Sequence, residues 1–144
     1  MFKKRLTACV LVQNGWVVQS IGFKRYLPIG TLDVTIEFLN KWGIDEIIIL
    51  DIDATVQGRQ PDFERIKRIS KKNFAPLAVG GGIRDVEDMR HLVHSGADKI
   101  VVNTVALDCP KIITSGADIF GAQCIVVSMD VRRHPDVRYD VYRY

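Results

Sequence analysis

Five near-continuous apolar runs, at residues 6–12, 46–50, 77–79, 99–102 and 124–129, recur along the 144-residue chain, and every gap between them holds a segment of helical periodicity. A strand that is apolar on both faces meets water on neither. The pattern therefore predicts a parallel sheet covered by helices, joined by right-handed crossovers. The helical segments are 32–42, 62–72, 86–95 and 110–115, the last extending toward 120. Asp33 and Asp85 lie near starts, and Gly43 and Gly96 at stops. No linker or low-complexity stretch divides the β-α-β-α-β-α-β-α-β order, so residues 1–144 read as one unit.

Composition limits the function classes. A chain with 47% hydrophobic and 26% charged residues can bury one core, and its net charge of +3 is spread without a block of like charges. That argues against a nucleic-acid partner and a membrane surface. No apolar run reaches membrane-spanning length, and the run after the basic residues 1–5 breaks at Gln13-Asn14-Gly15, unlike a signal peptide. Cys9, Cys109 and Cys124 are odd in number and lack metal-ligand spacing, which fits reduced thiols in a cytoplasmic protein. Neither a metal nor a cofactor is expected.

The segment Pro76-Leu77-Ala78-Val79-Gly80-Gly81-Gly82-Ile83-Arg84-Asp85 carries the chemistry. Three residues without Cβ let backbone N–H groups approach an anion, and a helix opening at Asp85 adds its positive end. A lone triple glycine is equally a tight turn. One unit later, however, Ile100-Val101-Val102-Asn103-Thr104-Val105-Ala106 again runs from buried strand to small polar groups, so Gly81, Gly82, Asn103 and Thr104 could grip one phosphate together. An internal echo narrows the topology: Gly43-Ile44-Asp45-Glu46-Ile47 aligns with Gly96-Ala97-Asp98-Lys99-Ile100 at an offset of 53 residues. Helix stop followed by strand could produce this by chance, but repeated two-unit blocks of a closed (β/α)8 barrel explain it better. Such a barrel needs about 250 residues. The chain stops after its fifth strand, with an alternating tail at 137–144 that reads as an extended excursion.

The whole chain resembles the N-terminal half and fifth strand of the cyclase subunit of imidazole glycerol phosphate synthase. The matching segments are Lys4-Arg5-Leu6-Thr7-Ala8-Cys9, Gly43-Ile44-Asp45-Glu46, Leu50-Asp51-Ile52-Asp53-Ala54, Val79-Gly80-Gly81-Gly82-Ile83, Gly96-Ala97-Asp98-Lys99, Val102-Asn103-Thr104 and Val126-Val127-Ser128-Met129-Asp130. The resemblance implies a (β/α)8 barrel, present as strands one to five. It implies that ammonia from a partner glutaminase attacks a doubly phosphorylated ribotide, and that Gly82, Asn103 and Thr104 bind one of its phosphates. Two aspartates serve the family as general acid and base. Asp130 matches one, but Leu11 occupies the position of the other, and the family's loop lysine falls on Gln19. Asp51 lies near the site, where it could equally be a cap or a structural acceptor. Arg5, Glu46 and Lys99 match an ammonia gate at the opposite face, with Asp98 and Gln123 at the glutaminase interface; stabilising surface charge is the alternative for that face.

These departures suggest a specialised paralogue serving amidino-sugar synthesis in surface-polysaccharide clusters. The alternatives are a histidine-biosynthesis cyclase and a non-catalytic ammonia conduit. A different class, haloacid-dehalogenase-like phosphatases, is raised by Asp51-Ile52-Asp53-Ala54-Thr55 after an apolar strand, where the first Asp would be a nucleophile. Taken alone, the chain is expected to self-associate, because strands one and five would each leave an unpaired edge.

Overall fold

The computed structural model describes residues 4–142. Five strands, β1 (Thr7–Gln13), β4 (Glu46–Asp51), β5 (Leu77–Gly80), β6 (Lys99–Val102) and β7 (Ile125–Val127), lie parallel and side by side in chain order. A doubly wound sheet reverses its winding at a switch point. This one never does, so its helices all cover one face, as in a half of a (β/α)8 barrel with the fifth strand added.

Strand alternation sorts the side chains into two sets. Val10, Val12, Ile47, Ile49, Leu77, Val79, Ile100 and Val102 face the helices α1 (Leu32–Lys41), α2 (Phe63–Ser70), α3 (Val86–His94) and α5 (Lys111–Phe120), and pack on Ile36, Ile66, Ile69, Met89, Leu92 and Ile112. Burying each of these larger side chains stabilises the fold by roughly 1.5–3 kcal/mol. The other set, with Leu11, Leu50 and Val101, faces the inner side of the half-barrel and lines a cavity.

The internal echo has a structural cause. Asp45 accepts a hydrogen bond from Leu6 N at 2.8 Å and returns its own N–H to Leu6 O at 3.1 Å. Asp98 repeats this on Leu77, with both bonds at 2.8 Å. Each aspartate thus brackets a residue at the start of the neighbouring parallel strand, Leu6 just before β1 and Leu77 at the first position of β5. The preceding Gly43 and Gly96, at φ 68° and 98°, make the left-handed exit from the helix that brings the aspartate there.

Three features depart from expectation. Residues 13–30, where the sequence alone marks only a break at Gln13-Asn14-Gly15, form β2 (Trp16–Ile21) and β3 (Arg25–Gly30), antiparallel to each other, with β2 antiparallel to β1. Asn14 and Gly15 both have positive φ, 48° and 82°, which is the hairpin turn that Asn-Gly favours. A short helix, α4 (Thr104–Asp108), follows β6 directly. The tail folds back as β8 (Asp130–Arg133) and β9 (Tyr139–Tyr142), an antiparallel pair apart from the main sheet; residues 143 and 144 lie outside the described residues.

The hairpin also corrects the expected pair of bare edges. It covers β1 from Leu11 to Gln13 and leaves the stretch from Thr7 to Val10 unpaired on that side, while β7 is open along its outer edge. On the outside of α1 and its C-cap, Val34, Phe38 and Trp42 are exposed one turn apart. A 144-residue polypeptide of this sequence is therefore expected to self-associate through these edges. Sedimentation at tens of micromolar should show dimers or larger species, and a compact monomer would refute it.

Candidate functional site

The cavity, of about 370 Å³, opens at the C-terminal ends of the parallel strands, the end where barrels of this kind collect their functional groups. Its walls are Leu11 and Gln13 from β1, Leu50 and Asp51 from β4, Gly81 and Gly82 after β5, Asn103 and Thr104 after β6, and Ser128 and Asp130 after β7. Ser20, Phe23 and Tyr26 close one side from the hairpin. The structure thus gathers Gly81, Gly82, Asn103, Thr104, Asp51, Asp130 and Leu11 around one space.

The glycines themselves answer to protein packing. A Cβ on Gly80 would stand 2.7 Å from Val101 O, one on Gly81 would run into Asp51 O, and one on Gly82 would stand 2.5 Å from Arg59 O and 2.8 Å from Ala54 Cβ. Lack of space for a Cβ is thus a packing reason for each glycine: β6 crowds Gly80, the end of β4 crowds Gly81, and the loop between β4 and α2 crowds Gly82. Nor is the start of α3 a free positive end. The Asp85 carboxylate caps it by accepting from Asp88 N at 2.9 Å. The Gly82 N–H, for its part, donates to Thr55 Oγ1 at 3.2 Å.

Asp51 organises that loop. Its Oδ1 accepts from Asp53 N at 3.2 Å and Ala54 N at 3.1 Å, and Arg59 grips both carboxylate oxygens at 2.9 Å. The bond to Asp51 pushes the Arg59 guanidinium above its already high range. Asp53 Oδ2 accepts from Asn14 N at 2.6 Å and so pins the hairpin turn. Asp51 is therefore a structural acceptor. The phosphatase alternative falls with it, because its nucleophile is locked to Arg59 and the sheet is wound in one direction. Among the described residues no group of three or more His, Cys, Asp or Glu could hold a metal ion.

Asn103 and Asp130, expected in separate roles, are joined: Asn103 Nδ2 donates to Asp130 Oδ2 at 2.9 Å. Asn103 stands at the N-cap of α4, yet its side chain makes no capping bond, and its Oδ1 is buried without a partner among the described residues. Leu11, half-buried, pairs in register with Leu50 on one side and Val18 on the other, so its place on the wall is apolar. Gln19 is exposed on β2 and does not line the cavity.

At the N-terminal ends of the strands, Lys99 Nζ donates to Glu46 Oε1 at 2.5 Å on a largely buried carboxylate. Arg5 is exposed and forms no ion pair among the described residues. Asp98 is committed to Leu77, as described above. Gln123 stands at the third occurrence of the same Gly-x-Asp/Gln spacing, exposed and without a bracketing bond among the described residues. Sequence reasoning missed Arg59 and the hairpin residues; the Asn-Gly pair between apolar runs was the signal for the hairpin.

Gly58 and Gly82 separate strain from crowding, because both have positive φ (64° and 74°) but a Cβ on Gly58 meets nothing within 4 Å. Gly58→Ala should cost about 1–2 kcal/mol from backbone conformation alone. Gly82→Ala should cost a further ~1–3 kcal/mol for overpacking. Urea unfolding checks this, and equal losses would mean that the loop yields freely.

Residues 5–143 match the profile of the family described as histidine biosynthesis protein. A Vibrio vulnificus protein carrying the name imidazole glycerol phosphate synthase subunit hisF2 is 44% identical over 100% of this chain and 53% of its own length. One of the same name from Campylobacter jejuni is 45% identical over 94% of this chain and 54% of its own length. The imidazole glycerol phosphate synthase subunit HisF of Bacillus cereus is 41% identical over 99% of this chain and 56% of its own length. The chain thus spans just over half the length of these curated relatives. With the profile matched almost end to end and the sheet wound in one direction, the chain belongs to the histidine biosynthesis protein family, as a HisF-like N-terminal half-barrel.

Proposed function

We propose that the chain is part of an imidazole glycerol phosphate synthase-like cyclase subunit specialised away from efficient ring chemistry, which receives ammonia from a partner glutaminase. The observation that carries this is Leu11. It stands on the cavity wall beside Leu50, at the position where the family resemblance calls for a second proton-transferring carboxylate. A general acid or base contributes about 10²- to 10⁴-fold in rate. Neither of the other acids on the wall substitutes for it readily, since Asp51 is held by Arg59 and Asp53 by the Asn14 amide. Asp130 remains as the one carboxylate of the pair.

In this reading the cavity holds a phosphate of a small-molecule substrate near Gly81, Gly82, Asn103 and Thr104. Glu46 and Lys99 belong to an ammonia entry at the opposite end, with Arg5 joining them only after moving. Asp98 and Gln123 would face the glutaminase, Gln123 having the freer side chain of the two. The hisF2 name of two similar relatives supports a specialised paralogue. We assign amidino-sugar synthesis in surface-polysaccharide clusters as its setting, on the family resemblance.

The test uses a chain of the relatives' full length, made by joining residues 1–144 to the C-terminal half of a relative and supplied with saturating ammonia. Turnover of the family's ribotide should be very slow. Leu11→Asp should restore part of it, with desolvation by Leu50 and Val101 keeping some of the new carboxyl protonated. Asp130→Asn in that background should abolish the gain. Wild-type turnover on the order of 1 s⁻¹ or more would return the protein to histidine biosynthesis. No turnover even with Leu11→Asp would favour a non-catalytic conduit.

A further inference from the structure

We propose that Thr55 is a ligand of the phosphate site and, in its absence, occupies the acceptor position on the Gly82 amide. This rests on the reading that the cavity holds a phosphate. Thr55 Oγ1 accepts the Gly82 N–H at 3.2 Å, so a side-chain oxygen stands where an anion's oxygen would bind that amide. Thr55 lines the same cavity as Asn103 and Thr104 and is otherwise exposed. Its hydroxyl proton has no acceptor among the described residues, which leaves one O–H donor available at the site.

The placement is rigid because of the loop beneath it. Asp51 and Arg59 hold the loop closed at 2.9 Å, and Gly82 leaves no room between its backbone and Arg59 O. When a phosphate oxygen arrives, it takes over the Gly82 N–H, and the Thr55 hydroxyl turns from acceptor to donor toward the same anion. A neutral bond at 3.2 Å is exchanged for two charge-assisted ones, so the exchange favours the ligand. The device also satisfies the Gly82 donor when no ligand is present, a group that would otherwise stand unpaired at a buried position.

The experiment titrates inorganic phosphate into the 144-residue chain in buffer free of other anions, following amide shifts by transverse-relaxation-optimised NMR. Wild type should shift at Gly82 and Thr104. Thr55→Ser should bind within about twofold of wild type and Thr55→Val about tenfold more weakly, the loss of one charge-assisted bond. In the unliganded Val variant the Gly82 amide should exchange with solvent faster, while Ala54 and Arg59 amide shifts stay in place and show the loop intact. A Val variant that binds as tightly as wild type, or more tightly, overturns the role of Thr55 alone. Wild type that shows no phosphate shift at Gly82 and Thr104 overturns the phosphate reading, and the role of Thr55 with it.

Discussion

Two stretches of backbone approach each other so closely at Gly81 and Gly82 that no Cβ fits between them, and the shape of the cavity follows from that contact. The loop after β4 can lie there only because it is folded tightly on itself. The Asp51 carboxylate ends a strand, caps two amides of the following turn and grips Arg59 from the far side of the loop. The ion pair is partly buried, so it is screened less than a surface pair and its geometry is bidentate, the arrangement in which such pairs matter most. Asp53, two residues on, ties the β1–β2 turn to the same loop through Asn14. Hairpin, loop and glycines therefore form one wall.

The two ends of the sheet do different work with similar residues. At the N-terminal ends, Asp45 and Asp98 bracket the neighbouring strands, and Glu46 and Lys99 bond each other. At the C-terminal ends, strand register brings groups from separate units together. Ser128 N bonds Val102 O at 2.8 Å, which sets the exit of β7 beside the exit of β6 and lets Asn103 reach Asp130. Asn103 reaches Asp130 through Nδ2, while its Oδ1, the atom that could cap α4, makes no bond among the described residues.

Much of the architecture was legible because it depends on period and burial. Runs that are apolar on both faces can only be interior parallel strands, and four intervening helices follow from their spacing. The hairpin was missed because Gln13-Asn14-Gly15 reads as the end of an apolar run when turn chemistry is left aside; Asn-Gly between Leu11-Val12 and Trp16-Val17-Val18 marks it. The packing role of the glycine triplet was not legible for a deeper reason. A glycine reports that there is no space for a Cβ, and nothing in a sequence says whether ligand or protein fills that space. Asp51 was ambiguous in the same way, since its partner Arg59 lies eight residues on, in a loop with no periodicity to reveal the pairing.

Counting hydrogen bonds on the cavity's carboxylates shows why position 11 matters. Asp51 offers its oxygens to four donors, two of them on a permanently charged guanidinium, and these bonds hold the loop. Asp53 holds the hairpin turn through a short bond to Asn14 N. Asp130 is held at one oxygen by Asn103, and its other oxygen has no partner among the described residues. A reaction that must deliver a proton on one side of a substrate and remove one on the other needs two such open oxygens, set apart across the cavity. Leu11 lies on the parallel strand farthest along the sheet from β7, so a carboxylate there would stand on the opposite side of the site from Asp130. With leucine in that place the cavity keeps an apolar wall there, and the proposal of impaired ring chemistry rests on that one side chain.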